Sequence, residues 1–456
     1  MNELVIYLLL ASSFAEFGSA NRVYVHPFNL FALDNATCEV LTPATEQELE
    51  VMKAPLLSAQ DKAEADLRNP ADSDGLGGNS TERLAYLVNL QNHLGLRMYN
   101  SLRGSQRDSN TLFSPMDAYE TLVTLYLGAS KKTAVFYRDL LGIVSPSEGE
   151  GCVYLFDGHK VLLTLQEVTS LMDSSQDKLK TLAWSFISQD AEISKDFVRG
   201  TRDFSDASFT RSVDFSKPEE AKEMANSFVH KTSDGNIKQL FQNLSSATNF
   251  LFASSLHFKG SWATFKPESM AKQDFKVDEQ NTLSIPMMTH TGKYEYLDDT
   301  DKKCTVVKLP LANQAYMLLL LPHEGVDAQD IELKQDDIDT WNKHLKEGYL
   351  ELSLPKISGT ALTDLKSVLT HMRVDNYLFG SDDKYRRLSN KEKFTVDQVY
   401  NAVVFEISEE QLQDSPKTEE ETAPRKLTVN KPFLFAIFEG NSDAIVLMGK
   451  IRNPVE

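Results

Sequence analysis

Cys38, Cys152 and Cys304 are the only thiols of this 456-residue chain, and its nine histidines are scattered along it. That inventory limits the chemistry on offer. Nucleophilic hydrolysis needs a serine or cysteine activated by a positioned base, and no G-x-S-x-G elbow occurs. No H-E-x-x-H pair supplies two zinc ligands on one helix face, and no carboxylate stands in a D-T-G-like turn. The chain therefore reads as a non-enzyme that needs no cofactor and no metal. One peptide bond is of interest instead as a substrate. Leu30 and Phe31 set two large apolar side chains astride it, which suits the hydrophobic subsites of an aspartic protease. Ahead of it runs Asn21, Arg22, Val23, Tyr24, Val25, His26, Pro27, Phe28, Asn29. Pro27 disfavours helix at His26 and is expected to keep this strip extended, the shape a protease cleft binds as an added strand.

The elements that must carry this strip begin with a leader. Residues 1–20, MNELVIYLLLASSFAEFGSA, hold a short apolar run followed by small residues, which predicts a secretory signal peptide cleaved after Ala20. The run is well short of the roughly 20 apolar residues a membrane span needs, and no later segment is continuously apolar enough to insert. With 66 acidic against 47 basic residues the net charge is −19. Nucleic-acid binding, which rests on clustered lysine and arginine, is excluded as a function class. Secretion is the expectation.

That route gives meaning to the cysteines and sequons. Asn35, Asn79 and Asn243 each begin an Asn-x-Ser/Thr triplet and are candidate glycosylation sites. Cys38 and Cys152 lie in polar, loop-like text, whereas Cys304 leads the apolar run CTVVKLPL. A Cys38–Cys152 bridge and a buried Cys304 thiol are expected.

Between Glu39 and Asn79 the composition is polar and closes with NPADSDGLGGNST, a linker signature. Leu84, Leu87, Val88, Leu94 and Met98 then fall on helical spacing, with Asn79 and Glu82 placed to cap that helix. TLVTLYLGA and EMANSFVHKT also read as helices. AYMLLLLP and YLELSLPKI read as strands, and PFLFAIFEGNSDAIVLMGKI as a hairpin turning at Gly440–Asp443. Helices and long strands mix without βαβ alternation, so the fold class is α+β.

Ordered motifs then carry a resemblance. NTLFSPMDAYETLVTLYLGASKKTA (Asn110–Ala134), KTSDGNIKQLF, ASSLHFKGSWATFKPE, IPMM, LELSLPKISGTALTDLKSVL and NKPFLFAIFEGNSDAIVLMGKIRNP resemble successive serpin motifs over residues 86–456. The resemblance implies three β-sheets, about eight or nine helices and an exposed reactive loop before the C-terminal strands. Inhibitory serpins carry a small-residue hinge after two acidic residues, and that hinge inserts into a sheet. Here Glu409-Glu410 are followed by Gln411, Leu412, Gln413, Asp414, Ser415, Pro416 and Lys417. Pro416 has no N–H to give a ladder, and an inward-facing Asp414 or Lys417 costs several kcal/mol to bury unpaired. The hinge is read as non-inserting, which leaves Gln411, Leu412, Pro416 and Arg425 in a vestigial loop. The alternative is an inhibitor of a trypsin-like protease with Arg425 at the specificity position. A carrier with a small-molecule pocket has no sequence feature in its favour.

The strip Asn21–Leu30 resembles the vasoactive angiotensin peptides, departing from the mammalian pattern at Asn21, Val25 and Asn29. This implies a division into signal peptide (1–20), decapeptide (21–30), tail and linker (31–85) and serpin domain (86–456). It also implies renin cleavage at Leu30–Phe31, converting-enzyme cleavage at Phe28–Asn29, and an octapeptide ending in Phe28 that acts on a membrane receptor in blood-pressure and salt regulation. The family resemblance adds plasma as the destination and a monomeric state. A Cys38–Cys152 bridge would then restrict where the scissile bond can go.

Overall fold

A computed structural model describes residues 27–32, 39–40, 49–67, 80–144, 152–153, 155–172, 178–262, 269–311, 315–374, 378–379, 384–408 and 423–455. The leader and the strip through His26, Asn35, Cys38, Asn79 and residues 409–422 lie outside them.

Eight α-helices occur among the described residues: α1 (Ser80–Ser105), α2 (Pro115–Gly128), α3 (Lys131–Leu141), α4 (Gly158–Met172), α5 (Lys195–Phe204), α6 (Pro218–Thr232), α7 (Gln335–His344) and α8 (Leu365–His371). Before the first helix lie the short strands β1 (Glu39–Val40) and β2 (Val51–Met52), and after it β3 (Thr111–Phe113), β4 (Cys152–Val153), β5 (Lys178–Ser188), β6 (Ile193–Ser194) and β7 (Ala207–Val213). The remaining strands are β8 (Phe250–Ser261), β9 (Ser269–Lys276), β10 (Thr282–Asp299), β11 (Cys304–Pro310), β12 (Tyr316–Pro322), β13 (Lys346–Pro355), β14 (Ser358–Asp364), β15 (Gln398–Ser408), β16 (Arg425–Thr428), β17 (Phe433–Phe438) and β18 (Ile445–Ile451).

One sheet has five strands in the order β14-β15-β8-β5-β7. A hydrogen-bonded path of nine runs β16-β13-β10-β11-β12-β17-β18-β3, with β9 on β10. The 18-residue β10 joins two sheets along that path: it pairs with β9 over its first part, with β13 from Met287 to Tyr296 and with β11 at its end. Three main sheets result, as expected. The two-stranded pairs β1-β4 and β2-β6 fasten residues before α1 onto the body.

The middle of the five-stranded sheet is covered on both faces, so β8 is apolar at successive positions rather than alternate ones. Along β8, Phe250 and Phe252 join one core cluster while Leu251 and Ala253 join another. Helix α2 runs beneath this sheet with every residue buried. Ser114 caps it by accepting from the Asp117 N–H at 3.1 Å, and Pro115 occupies the first helical position, where its missing N–H costs nothing. Beside it, β15 and β8 pair in parallel along their whole lengths, from Gln398↔Leu251 to Ser408↔Ser261. That closed seam leaves no added strand between them.

The α1 stripe is seen as read, with Leu87, Val88, Leu94 and Met98 buried, and β17 and β18 form the C-terminal hairpin. Cys304 is fully buried, and burial pushes its thiol up to about 12. Residues 49–67, expected as tail and linker, run against the body: Leu57 and Ala54 are buried and Val51 pairs with Ser194.

Candidate functional site: the docked N-terminal turn and Arg425

Pro27–Leu30 form a single 3-10 turn, not the extended strip that the proline suggested. A proline fixes φ near −65°, which suits the first position of a helical turn as well as extended chain. The turn closes with the Phe31 N–H donating to the Phe28 carbonyl at 3.0 Å. This throws Phe28 and Phe31 to one side and leaves Asn29 exposed between them. Both rings are in the core, Phe28 at 3% and Phe31 at 0% exposure, and Leu30 packs partly buried against the same cluster.

The body supplies that site from elements far along the chain. Tyr86, in the first turns of α1, lies with its ring centroid 6.2 Å from that of Phe31, the planes 25° apart. The N–H of Asp157 donates to the Phe31 carbonyl at 2.7 Å. Ala32 forms an antiparallel bridge with Phe156, and the Lys160 ammonium reaches the Ala32 carbonyl at 3.5 Å. Phe156 is itself fixed by the hydroxyl of Tyr126 in α2. That hydroxyl donates to the Phe156 carbonyl at 2.9 Å and accepts the Phe156 N–H at 3.0 Å, with the two rings stacked at 4.0 Å. The Leu30–Phe31 bond is therefore held on both sides: its N–H is spent within the turn, and the next carbonyl is spent on Asp157. A protease that reads an extended backbone must first lift this segment off.

His159 secures the loop that carries Asp157. Its two ring nitrogens lie 2.5 Å from an Asp203 oxygen and 2.9 Å from an Asp196 oxygen. Burial works against a charge there, but the bonds to Asp196 and Asp203 outweigh it and raise the imidazole to about 9. Downstream of Ala32 the tail meets the same stretch again, with Glu39 opposite Val153 and Val40 opposite Cys152. The segment next to Cys38 is thereby brought alongside Cys152.

The structure places the other site residues apart from this one. Asn243 is exposed, in a left-handed conformation with φ 53°. Arg425 is not on a loop crest: it opens β16, opposite Leu350 of β13. Its guanidinium forks onto Asp298 at 2.7 and 3.0 Å and lies 5.2 Å from the Tyr296 ring centroid. The hydrogen bond to Arg425 holds the Asp298 carboxyl below its usual range. Gln411, Leu412 and Pro416 lie outside the described residues, as do Asn35, Asn79 and Asn21 to His26. Tyr86, Tyr126, Phe156, Asp157 and Lys160 were not found from sequence. Tyr126 lies within the Asn110–Ala134 motif but nothing there marks a receiving role, the text around the other four carries no motif, and only the two phenylalanines flanking Leu30 hint that a receiving surface is needed.

The family model described as serpin (serine protease inhibitor) matches residues 89–454. The chain belongs to the serpin family. This serpin is 28% identical to angiotensinogen of Bos taurus, over 98% of this chain and 97% of that one, and 26% identical to angiotensinogen of Homo sapiens over the same shares. An alpha-1-antitrypsin homolog of Cyprinus carpio is 32% identical, but over 54% of this chain. Human thyroxine-binding globulin superposes with a TM-score of 0.70 at 23% identity, covering 82% of this chain and all of that one. It shows the serpin fold alone. The alignment to the angiotensinogens extends well ahead of residue 89, into the part that holds the docked turn, and this is an angiotensinogen-like serpin. Among the described residues no helix is long and apolar enough to cross a membrane.

Proposed function

We propose that this serpin is a secreted, glycosylated hormone precursor whose body holds the N-terminal peptide until a renin-type aspartic protease cuts Leu30–Phe31. The observation that carries the reading is the placement of that bond. It sits on a short turn attached by two phenylalanines and one β-bridge, one leg of which is the Asp157–Phe31 backbone bond, rather than inside a regular sheet or helix. Such an attachment opens locally without unfolding the body. Cleavage frees Asn21–Leu30. A converting peptidase then removes the residues after Phe28, and the octapeptide carries Arg22, Tyr24, Phe28 and a new carboxylate as anchors for a membrane receptor.

A Cys38–Cys152 bridge belongs to the same scheme. The register at Glu39 and Val40 supports it by running the tail beside β4. Closing a loop of this size is worth roughly 4 to 5 kcal/mol in the chain-entropy model, and the bridge shortens the tether on which the scissile bond can swing. The serpin body is a scaffold here rather than an inhibitor, with Arg425 anchoring the end of its loop through Asp298.

N-terminal sequencing of the large product after incubation with such a protease tests the proposal. A fragment that begins at Phe31 supports it. A body cut elsewhere, or left intact after the segment has been freed by mild denaturant, removes it.

A further inference from the structure

β7 is an outer strand of the five-stranded sheet, with β5 on one side. A bare outer strand presents unpaired backbone groups to any other chain. Here the outward carbonyls, which recur at every second residue, are all taken. Ser208 O accepts the Asp66 N–H at 2.7 Å and Ser212 O accepts the Leu57 N–H at 2.9 Å. Between them, Thr210 O accepts from the guanidinium of its own neighbour Arg211 at 3.0 Å. The Ser212 N–H is taken as well, by the Pro55 carbonyl at 2.8 Å.

The segment that does this is fastened by side chains. Leu57 is buried against the cluster that includes Phe209 of β7 and Phe228 of α6. Arg211, 5% exposed, forks onto Asp61 at 2.7 and 3.3 Å, donates to the Glu64 carbonyl at 2.8 Å and lies 3.7 Å from Asp66. Its guanidinium also lies 5.2 Å from the Phe228 ring centroid. From α6, the Lys231 ammonium reaches the Asp61 carbonyl at 2.7 Å. A buried arginine needs such partners, because the charge is costly once out of water. The partners come from a stretch that is otherwise polar and largely exposed, with Leu56 at 61%.

We propose that Pro55–Asp66 is a built-in guard for the β7 edge, occupying the surface on which a second copy of this chain would otherwise pair. Arg211 is its latch. The guard lies downstream of Phe31 and holds itself on the sheet by its own contacts, so release of the N-terminal peptide leaves it in place and the product stays monomeric. It stands independently of the hormone-precursor reading.

The test is light scattering of the full chain over a concentration series. Leu57→Pro deletes the N–H given to Ser212, and Asp61→Ala opens the latch while leaving the backbone bonds possible. Each variant is expected to self-associate at a concentration about tenfold or more below the wild type, the equivalent of one or two lost hydrogen bonds. An excess of synthetic peptide Ala54–Leu67 is expected to return each variant to monomer. Variants that stay monomeric overturn the proposal. So do oligomers that the peptide does not reverse, which would mark misfolding rather than edge pairing. If Leu57→Pro fails to fold, Asp61→Ala decides the matter by the same two outcomes.

Discussion

Replacing Tyr86 by alanine should speed cleavage at Leu30–Phe31 without altering a single residue of the cleaved segment. The magnitude follows from how nearly balanced the docking is. Burying Phe28 and Phe31 contributes about 1.5–3 kcal/mol each. The backbone bond to Asp157, one leg of the Ala32–Phe156 bridge, adds about 1 kcal/mol, for a gross 4–7. Ordering the six residues Pro27–Ala32 costs about 1–2 kcal/mol each, a total of 6–12. The two sides meet within a few kcal/mol, so the bound turn is easily tipped, and a protease that takes only the open form sees its apparent affinity scale with the open fraction. The Tyr86–Phe31 ring pair, at 6.2 Å, is worth about 0.5–1.5 kcal/mol beyond area, which is about a two- to twelvefold gain in the ratio of open to docked chain. The assay is kcat/KM for the full chain, wild type against Tyr86→Ala, with a free peptide spanning Asn21–Asp34 as reference. An unchanged or slower rate in a variant that melts like wild type would refute the docking argument.

Other consequences can be checked separately. Trypsin is expected to nick the segment before β16 and remain active, and a covalent, SDS-stable complex would restore the inhibitor reading with Arg425 at its centre. Asp298→Asn, which removes the charge facing Arg425, should raise cutting at Arg425 a fewfold in a timed digest. Cys38→Ser should change the rate of cleavage at Leu30–Phe31, and equal rates would dismiss the bridge as a gate. His159 sits above its ordinary value, raised to about 9 by Asp196 and Asp203. Its contribution, on the order of 3 kcal/mol, is fully present below about pH 6.5 and is lost as pH rises through 9. Thermal melts from pH 6 to 10 should therefore show wild type converging on His159→Gln.

Local pattern carried much of the fold into the sequence. The α1 stripe, the β17–β18 hairpin and the apolar strand led by Cys304 all follow from spacing and turn residues, because each is satisfied by near neighbours. The serpin motifs supplied the arrangement of the sheets, which no periodicity specifies. What sequence could not show is contact between distant segments. Phe31 meets Tyr86 and Asp157, and Leu57 meets Ser212, through pairings that no local rule ranks above others. Pro27 was misleading for a plainer reason: its fixed φ serves two conformations, and burial of Phe28 and Phe31 selected the helical turn. The polar text of residues 49–67 hid its role because its anchor, the buried Arg211, lies about 150 positions away.

Mass spectrometry of the small product formed by a renin-type protease puts the central claim to its most direct trial. The account requires a peptide running from Asn21 to Leu30, trimmed by a converting peptidase to one that ends at Phe28. A smallest product with any other C-terminus, obtained from folded chain, would contradict it.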